Sequence, residues 1–186
     1  MHITLTYKGP VQGNARKQSD VWRLRKSFHK QLYKLSLTNE FEYVEKYANQ
    51  DTEKSHPNIG IDVANSRYVP FITSKMKTRC SLYVRVFRGV RQYNPVLGNV
   101  DLDNRVKTLI DALRAPQQIS ETKESDGTVR YVLLEDDSLI DGITVKSDHY
   151  LDEEDEGVVL AIITANIHLA HATWANMHLG YPSAPF

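Results

Sequence analysis

Two aspartates, Asp101 and Asp103, stand just before a segment with helical periodicity, and this junction constrains the fold more than any other feature of the sequence. Side chains two positions apart lie on the same side of an extended backbone. The apolar residues around and after Asn104 have the spacing of one helical face: Leu102, Val106, Leu109, Ile110 and Leu113. The pattern therefore predicts a pair of carboxylates at the point where a strand or loop becomes a helix.

More charged residues are expected near this pair. Asp103 and Lys107 are four residues apart, so on a helix they are neighbours that point away from the apolar face. Asp136 and Asp137 follow a short apolar strand pattern at 131–134. Mg²⁺ is usually held by one or two carboxylates together with a substrate phosphate, and a lysine can stabilise the negative charge of that phosphate. The residue types predict a Mg²⁺ site beside a phosphate site.

The same residues also have purely structural explanations. An aspartate before a helix is often an N-cap, and Asp103 with Lys107 can form an ordinary ion pair between successive helical turns. Asp136 and Asp137 can belong to a turn. At the level of spacing alone, both interpretations stay open.

The net charge is zero, but the charges are unevenly distributed along the chain. Residues 1–36 are rich in Lys and Arg and contain Asp20 as their sole acid, and residues 67–100 contain basic residues and no acid. Residues 121–156 are acidic and include a continuous run of acids at 152–156. Such asymmetry is typical of a protein with a polyanion-binding face, and also of solvated charged loops.

Basic residues recur on a predicted N-terminal helix and a predicted strand. Ser19 or Asp20 can cap a helix with one apolar stripe and a basic opposite face. In the strand pattern at 80–88, Arg85 lies between two aromatic residues. A solvent-exposed face without a partner explains these patterns equally well. If nucleic acid is the partner, we expect the contacts to come from Arg16, Lys17, Arg23, Lys26, Lys30, Arg85 and Arg88.

The order of helical and strand patterns predicts an α+β fold in a single mixed domain over residues 1–186, with a small β-sheet packed with two main helices. Residues 38–66 and 116–130 are predicted to be insertions, and 173–186 an irregular tail. No apolar run is long enough to cross a bilayer, so no membrane partner is expected. The single cysteine, Cys80, fits a soluble protein of the reducing cytoplasm and is expected to be buried.

An ordered set of motifs resembles the RusA family of Holliday junction resolvases. The set comprises Asp101-Leu102-Asp103-Asn104, Lys107, Asp111-Ala112-Leu113 and the Leu-acid-Asp-Asp step from Leu134 to Asp137. The start of the chain is also similar to that family, with a strand followed by Gly9, Pro10, Asn14, Arg16 and Lys17.

The resemblance implies a crossover junction endonuclease that hydrolyses phosphodiester bonds in branched DNA. It implies that Asp101, Asp103 and Asp137 are catalytic carboxylates that hold Mg²⁺, with Mn²⁺ as a substitute, and that Lys107 is an essential lysine. Asp136 would be a supporting acid of the metal site. The family forms homodimers, so two active sites would face a two-fold symmetric junction.

Two other functions are compatible with the sequence. A catalytically weak or inactive DNA-binding protein of the same fold would explain the neutral overall charge. A metal-dependent nucleotide phosphohydrolase would use the carboxylates and leave the basic helix without a partner. Metal binding and activity on mononucleotides distinguish these alternatives from the endonuclease.

Overall fold

A computed structural model of the chain describes residues 1–11, 18–48, 57–89, 102–122, 128–150, 158–173 and 176–177. Within these residues the chain forms two β-sheets and three α-helices. None of the helices in this part of the chain combines the length and the apolar character required to cross a bilayer.

The larger sheet has four strands: β1 (His2–Pro10), β4 (Thr78–Gly89), β6 (Ile140–Tyr150) and β7 (Val158–Leu169). Their spatial order is β1-β7-β4-β6, with β7 antiparallel to both neighbours and β6 parallel to β4. β7 is therefore an interior strand of this sheet. β1 continues to Pro10, which an edge strand accommodates because the missing N–H need not pair.

The smaller sheet contains β2 (Ile61–Val63), β3 (Ser66–Ile72) and β5 (Val129–Leu134) in the order β2-β3-β5. The first pair is antiparallel and the second pair is parallel. β5 matches the apolar pattern predicted at 131–134, and the acids 135–137 follow its end as expected.

The helices are α1 (Gln18–Ser36), α2 (Glu42–Ala48) and α3 (Leu102–Leu113). In α1 the residues Leu24, Phe28 and Leu32 are buried, which confirms the predicted apolar stripe. α1 packs against α3, β5 and β1 and so connects the two sheets.

One face of the four-stranded sheet belongs to the core. Burial alternates along β4 and β7, as expected for strands with one covered face. Val84 and Val86 share a core with Leu24 of α1 and Leu109 of α3. Cys80 is buried as predicted, and burial raises the pKa of its thiol to about 12.

The α+β class and the single domain are confirmed, but the prediction of one sheet and two main helices is incomplete. Part of the predicted insertion at 38–66 forms α2 and β2, and Phe41, Tyr43 and Tyr47 are buried there. Their polar neighbours obscured these short elements in the sequence. In the predicted tail, Asn176 is buried and its Nδ2 donates to the carbonyl oxygen of Met76 at 2.7 Å. Residues 174–175 and 178–186 lie outside the described residues.

Candidate active site

The exposed face of α3 presents an acid and a lysine one helical turn apart. Asp103 and Lys107 are exposed, whereas Val106 and Leu109 between and after them are buried. This arrangement confirms that the two charged side chains point away from the apolar face. The neighbouring Asp101 lies outside the described residues.

Backbone hydrogen bonds tie the end of β5 to the end of α3. The N–H of Ala115 donates to the carbonyl oxygen of Leu134 at 2.9 Å, and Arg114 forms a bridge with the same residue. The N–H of Glu135 donates to the carbonyl oxygen of Ile72 at 2.9 Å. The chain therefore leaves β5 beside α3, and the following short 3₁₀ turn places Asp137 next to that helix.

Two segments of the chain thus meet in one open cleft of about 280 Å³. Its lining combines charged groups with an apolar floor: Asp103, Lys107, Asp111 and Asp137 with Val106, Ile110 and Val145. The structure brings together Asp103, Lys107 and Asp137, three of the predicted site residues. Val145 belongs to β6, so the cleft lies between α3 and the edge strand of the larger sheet.

Glu135 and Asp136 are held by hydrogen bonds outside this cleft. Glu135 Oε2 accepts from Thr73 Oγ1 at 2.5 Å and from the N–H and hydroxyl of Ser74 at 2.7 and 2.9 Å. Asp136 Oδ1 accepts from the N–H of Ser138 at 3.0 Å, and Oδ2 accepts from Gln117 Nε2 at 3.1 Å. Hydrogen bonding to Ser138 lowers the pKa of Asp136. Asp136 caps the 3₁₀ turn, and its role as a metal ligand stays a prediction.

Arg114 is a further charged residue at the end of α3, and the sequence did not single it out. Its Nε lies 3.5 Å from Asp111 Oδ1, and its Nη1 donates to Glu121 Oε2 at 3.0 Å. Burial lowers the pKa of Arg114, but Glu121, Asp111 and Asp137 more than offset this effect and raise it overall. Arg114 therefore offsets part of the negative charge around the cleft. A lone arginine after a helix has no pattern that would have revealed this role.

The described carboxylates fit a hard divalent cation only in part. Asp103 forms no hydrogen bond or ion pair with another described residue, so its oxygens are available to a ligand. One or two carboxylates with a phosphate are sufficient for Mg²⁺. Within the described ranges, however, no three His, Cys, Asp or Glu side chains are close enough to hold a metal ion together. The predicted third ligand, Asp101, is not among these residues, and the metal site stays a prediction.

Three of the predicted DNA-binding residues line one groove. Arg23, Lys26 and Lys30 of α1 border a groove of about 620 Å³ that runs along the end of β1. Lys26 Nζ lies 5.6 Å from the centre of the Trp22 ring. Arg23 donates to the carbonyl oxygen of Pro10 at 2.7 Å, which fixes the helix against the strand. The groove combines positive charge with an aromatic surface.

The other predicted DNA-binding residues are distributed differently. Arg85 and Arg88 lie on opposite faces of β4, because side chains alternate along a strand. Arg85 points to the outer face, where Nη2 donates to Asp148 at 3.3 Å and the guanidinium lies over the Phe87 ring. Arg88 lies on the core side, in line with Val86. Arg16 and Lys17 lie outside the described residues.

Comparisons with protein-family models, with curated proteins and with solved structures give no match to this chain. The resemblance to RusA resolvases rests on the motifs themselves and stays a prediction.

Proposed function

We propose that this chain is a Mg²⁺-dependent endodeoxyribonuclease of RusA type that cleaves Holliday junctions or other branched DNA as a homodimer. One observation carries the proposal: Asp103 and Lys107 of α3 meet Asp137, from a distant part of the chain, in one open cleft. Ion pairs on a solvated surface do not require such convergence. A phosphodiesterase does, because carboxylates and a cation must reach the same phosphate.

The residues of the cleft have distinct roles in the proposed reaction. Asp103 and Asp137, with Asp101, would hold the Mg²⁺ ion, which as a Lewis acid polarises the phosphate and lowers the pKa of a bound water. Lys107 would contact a non-bridging oxygen of the scissile phosphate and stabilise its increasing negative charge. The apolar floor, including Val106 and Ile110, positions these charged groups at the rim where a DNA strand can reach them.

Binding in this proposal depends on the backbone of DNA. Arg23, Lys26 and Lys30 line a groove whose positive charge suits phosphates, and contacts to phosphates do not depend on the base sequence. Preference for a branched substrate would then come from its shape and from the relative placement of two subunits.

The test is cleavage of a synthetic four-way junction and of a matched linear duplex, with Mg²⁺ and then with EDTA. We expect metal-dependent cleavage confined to the junction, reduced roughly a hundredfold or more in Asp103→Asn because a metal ligand and its charge are altered. Junction binding in EDTA should be largely retained by this variant.

Glu42→Gln is a matched control, because Glu42 is also an exposed acid in the first turn of a helix. It should cleave like the wild type. Normal cleavage by Asp103→Asn would refute the assignment of the site. Binding without cleavage by the wild type would favour the non-catalytic alternative, and hydrolysis of mononucleotides alone would favour the phosphohydrolase.

A further inference from the structure

An open pocket of about 520 Å³ is lined by residues of α1, α2, β3 and β5 and shares no lining residue with the cleft. Its lining includes three rings, those of His29, Tyr33 and Tyr131, and it is named the aromatic pocket for them. Tyr33 and Val129, which also line it, are each 46% exposed although both are large and apolar. A pocket of this size with exposed apolar side chains is typical of a ligand site.

The rings of the aromatic pocket lie in an ordered arrangement. The planes of the His29 and Tyr131 rings differ by 8°, and their centres are 6.0 Å apart. The Tyr33 ring is tilted by 44° to that of Tyr131, at 5.8 Å. His29 Nδ1 accepts the backbone N–H of Tyr131 at 2.9 Å, which fixes the imidazole. The exposed Tyr33 ring therefore has fixed neighbours and offers a stacking surface for a planar ligand.

Two polar groups of the pocket have hydrogen-bonding capacity left. Burial, together with the charge of Arg130, lowers the pKa of His29, so its ring is neutral at pH 7. Because Nδ1 accepts a hydrogen bond, the ring proton is on Nε2, for which the described residues provide no acceptor. Glu45 Oε2 accepts from the Tyr131 hydroxyl at 3.0 Å, whereas Oε1 has no donor in the same part of the chain. The pocket thus offers one donor and one acceptor beside its rings.

This combination suits a nucleobase. A base has flat faces that stack on aromatic side chains, and its edge carries hydrogen-bond donors and acceptors. An alkylated ammonium ion would also be attracted by tyrosine rings and a carboxylate. Such an ion has no acceptor for the Nε2 proton of His29, however, and the guanidinium of Arg67 lines the same pocket. The lining therefore favours a base over a cation.

The aromatic pocket adjoins the basic groove along α1. Lys26 of the groove is three residues before His29 of the pocket, and Lys30 of the groove is three residues before Tyr33. Residues three apart are neighbours on the surface of a helix. A strand with its phosphates along the lysines can therefore place a base against the rings.

We propose that the aromatic pocket binds one unpaired nucleobase of a DNA strand whose backbone lies in the groove. The base stacks on Tyr33, donates to Glu45 Oε1 and accepts from His29 Nε2. The choice of DNA as the source of the base rests on the proposed function. A base within a duplex is paired at its edge and covered on its faces, so it must leave the stack to enter such a pocket. The pocket therefore favours DNA with an unpaired base.

The first experiment measures the affinity for two labelled oligodeoxynucleotides in EDTA. One consists of abasic nucleotides throughout, and the other carries a single adenine at its centre, so that both have the same backbone charge. We expect the adenine to strengthen binding to the wild type roughly tenfold, which is the usual contribution of one stacked base. Fluorescence polarisation measures both affinities.

Three variants assign this gain to the pocket. Tyr33→Ala should lose most of it, whereas Tyr33→Phe, which keeps the ring, should retain it. Glu45→Ala should reduce it roughly fivefold, because one hydrogen bond to the base is lost. All three should bind the abasic oligonucleotide like the wild type. That result shows that the variants are folded.

The second experiment separates a base on a strand from a free nucleoside. Deoxyadenosine, titrated by calorimetry, should bind more weakly than the oligonucleotide with adenine, because it lacks the phosphates. Lys30→Met should weaken both oligonucleotides by the same factor and leave deoxyadenosine binding unchanged. Lys46→Met is the control, since it removes one positive charge from the exposed side of α2 and lines neither the pocket nor the groove. It should match the wild type with all three ligands.

The outcomes separate this site from the proposed activity. Equal affinity of the wild type for the two oligonucleotides, or an undiminished gain in Tyr33→Ala, would overturn the base site. Equally tight binding of deoxyadenosine and of the oligonucleotide with adenine would overturn the assignment to a DNA strand and leave a site for free nucleosides. Both experiments exclude metal and need no cleavage, so a failure of the endonuclease test would leave their interpretation unchanged.

Discussion

At the scale of single residues, adjacent carboxylates in this protein have different surroundings. Asp136 uses both oxygens as hydrogen-bond acceptors and caps the turn after β5. Asp137 is exposed and lines the cleft with Asp103 and Lys107. Because the two residues differ in their contacts, substitutions at them should affect different properties.

Asp137→Asn and Asp136→Ala are predicted to have different effects. Asp137→Asn should reduce junction cleavage roughly a hundredfold or more, because a predicted metal ligand loses its charge, and should change the free energy of unfolding by less than about 0.5 kcal/mol. Asp136→Ala should lower that free energy by about 1 to 2 kcal/mol through two lost hydrogen bonds. Urea unfolding and junction cleavage measure the two effects.

Acid titration provides the control for this prediction. The pKa of Asp136 is lowered in the folded protein, so its contribution to stability is complete above the ordinary aspartate pKa and is lost as the pH falls through the lowered value. Wild type should therefore lose more stability than Asp136→Ala between about pH 5 and the acid limit of folding. Equal losses, or full cleavage by Asp137→Asn, would contradict the division of roles.

At the scale of elements, the orientation of α3 depends on a buried arginine of α1. Arg25 donates to the carbonyl oxygen of Asp111, in the last turn of α3 where helical carbonyls lack partners within the helix, and to the carbonyl oxygen of Glu121 in the following loop. Burial lowers the pKa of Arg25 to about 10, so the group stays charged at neutral pH. This contact fixes the end of α3 that lies nearest to Arg114 and the turn carrying Asp137.

Replacing this arginine tests its contribution. Arg25→Met should lower the free energy of unfolding by about 2 to 4 kcal/mol, because two partly buried carbonyl oxygens lose their donor. Urea unfolding measures the change, and Lys46→Met should remain within about 0.5 kcal/mol of the wild type. If the free energy of unfolding of Arg25→Met equals that of the wild type, water replaces the guanidinium as a hydrogen-bond donor at no cost in stability. The position of α3 would then not depend on this contact.

Periodicity predicted the long elements and only some of the short ones. α1, α3, β4 and β7 repeat their apolar residues often enough to be read directly. α2 and β2 were missed because they are short, and the parallel pairing of β3 with β5 was missed because it joins distant segments. No local pattern encodes such a pairing.

The sequence was sufficient to identify residues of the candidate site, but it predicted their arrangement in space only in part. The motif spacing pointed to Asp103, Lys107 and Asp137, and the structure places all three in the cleft. The buried arginines were missed, although a signal existed. Arg25 and Arg105 both occupy positions where helical spacing calls for an apolar residue, four after Val21 and three after Leu102. A charged residue at such a position indicates a buried charged side chain.

At the scale of the whole molecule, the described part of one chain contains one cleft with the proposed catalytic residues. Resolution of a four-way junction needs two cuts in strands related by two-fold symmetry, and one such cleft supplies one cut at a time. The proposed function therefore requires two chains arranged about a two-fold axis. Sedimentation should show a dimer bound to each junction.

A mixed dimer tests this requirement. One chain with the wild-type sequence and one with Asp103→Asn can be co-expressed with different tags and purified through both. We expect this dimer to bind junctions like the wild type and to make one nick per junction, because only one cleft keeps its metal ligand. Denaturing and native gels together distinguish a nicked junction from two separated duplexes. Complete resolution by the mixed dimer, at the wild-type rate, would mean that a single cleft makes both cuts, and the two-site arrangement would then be wrong.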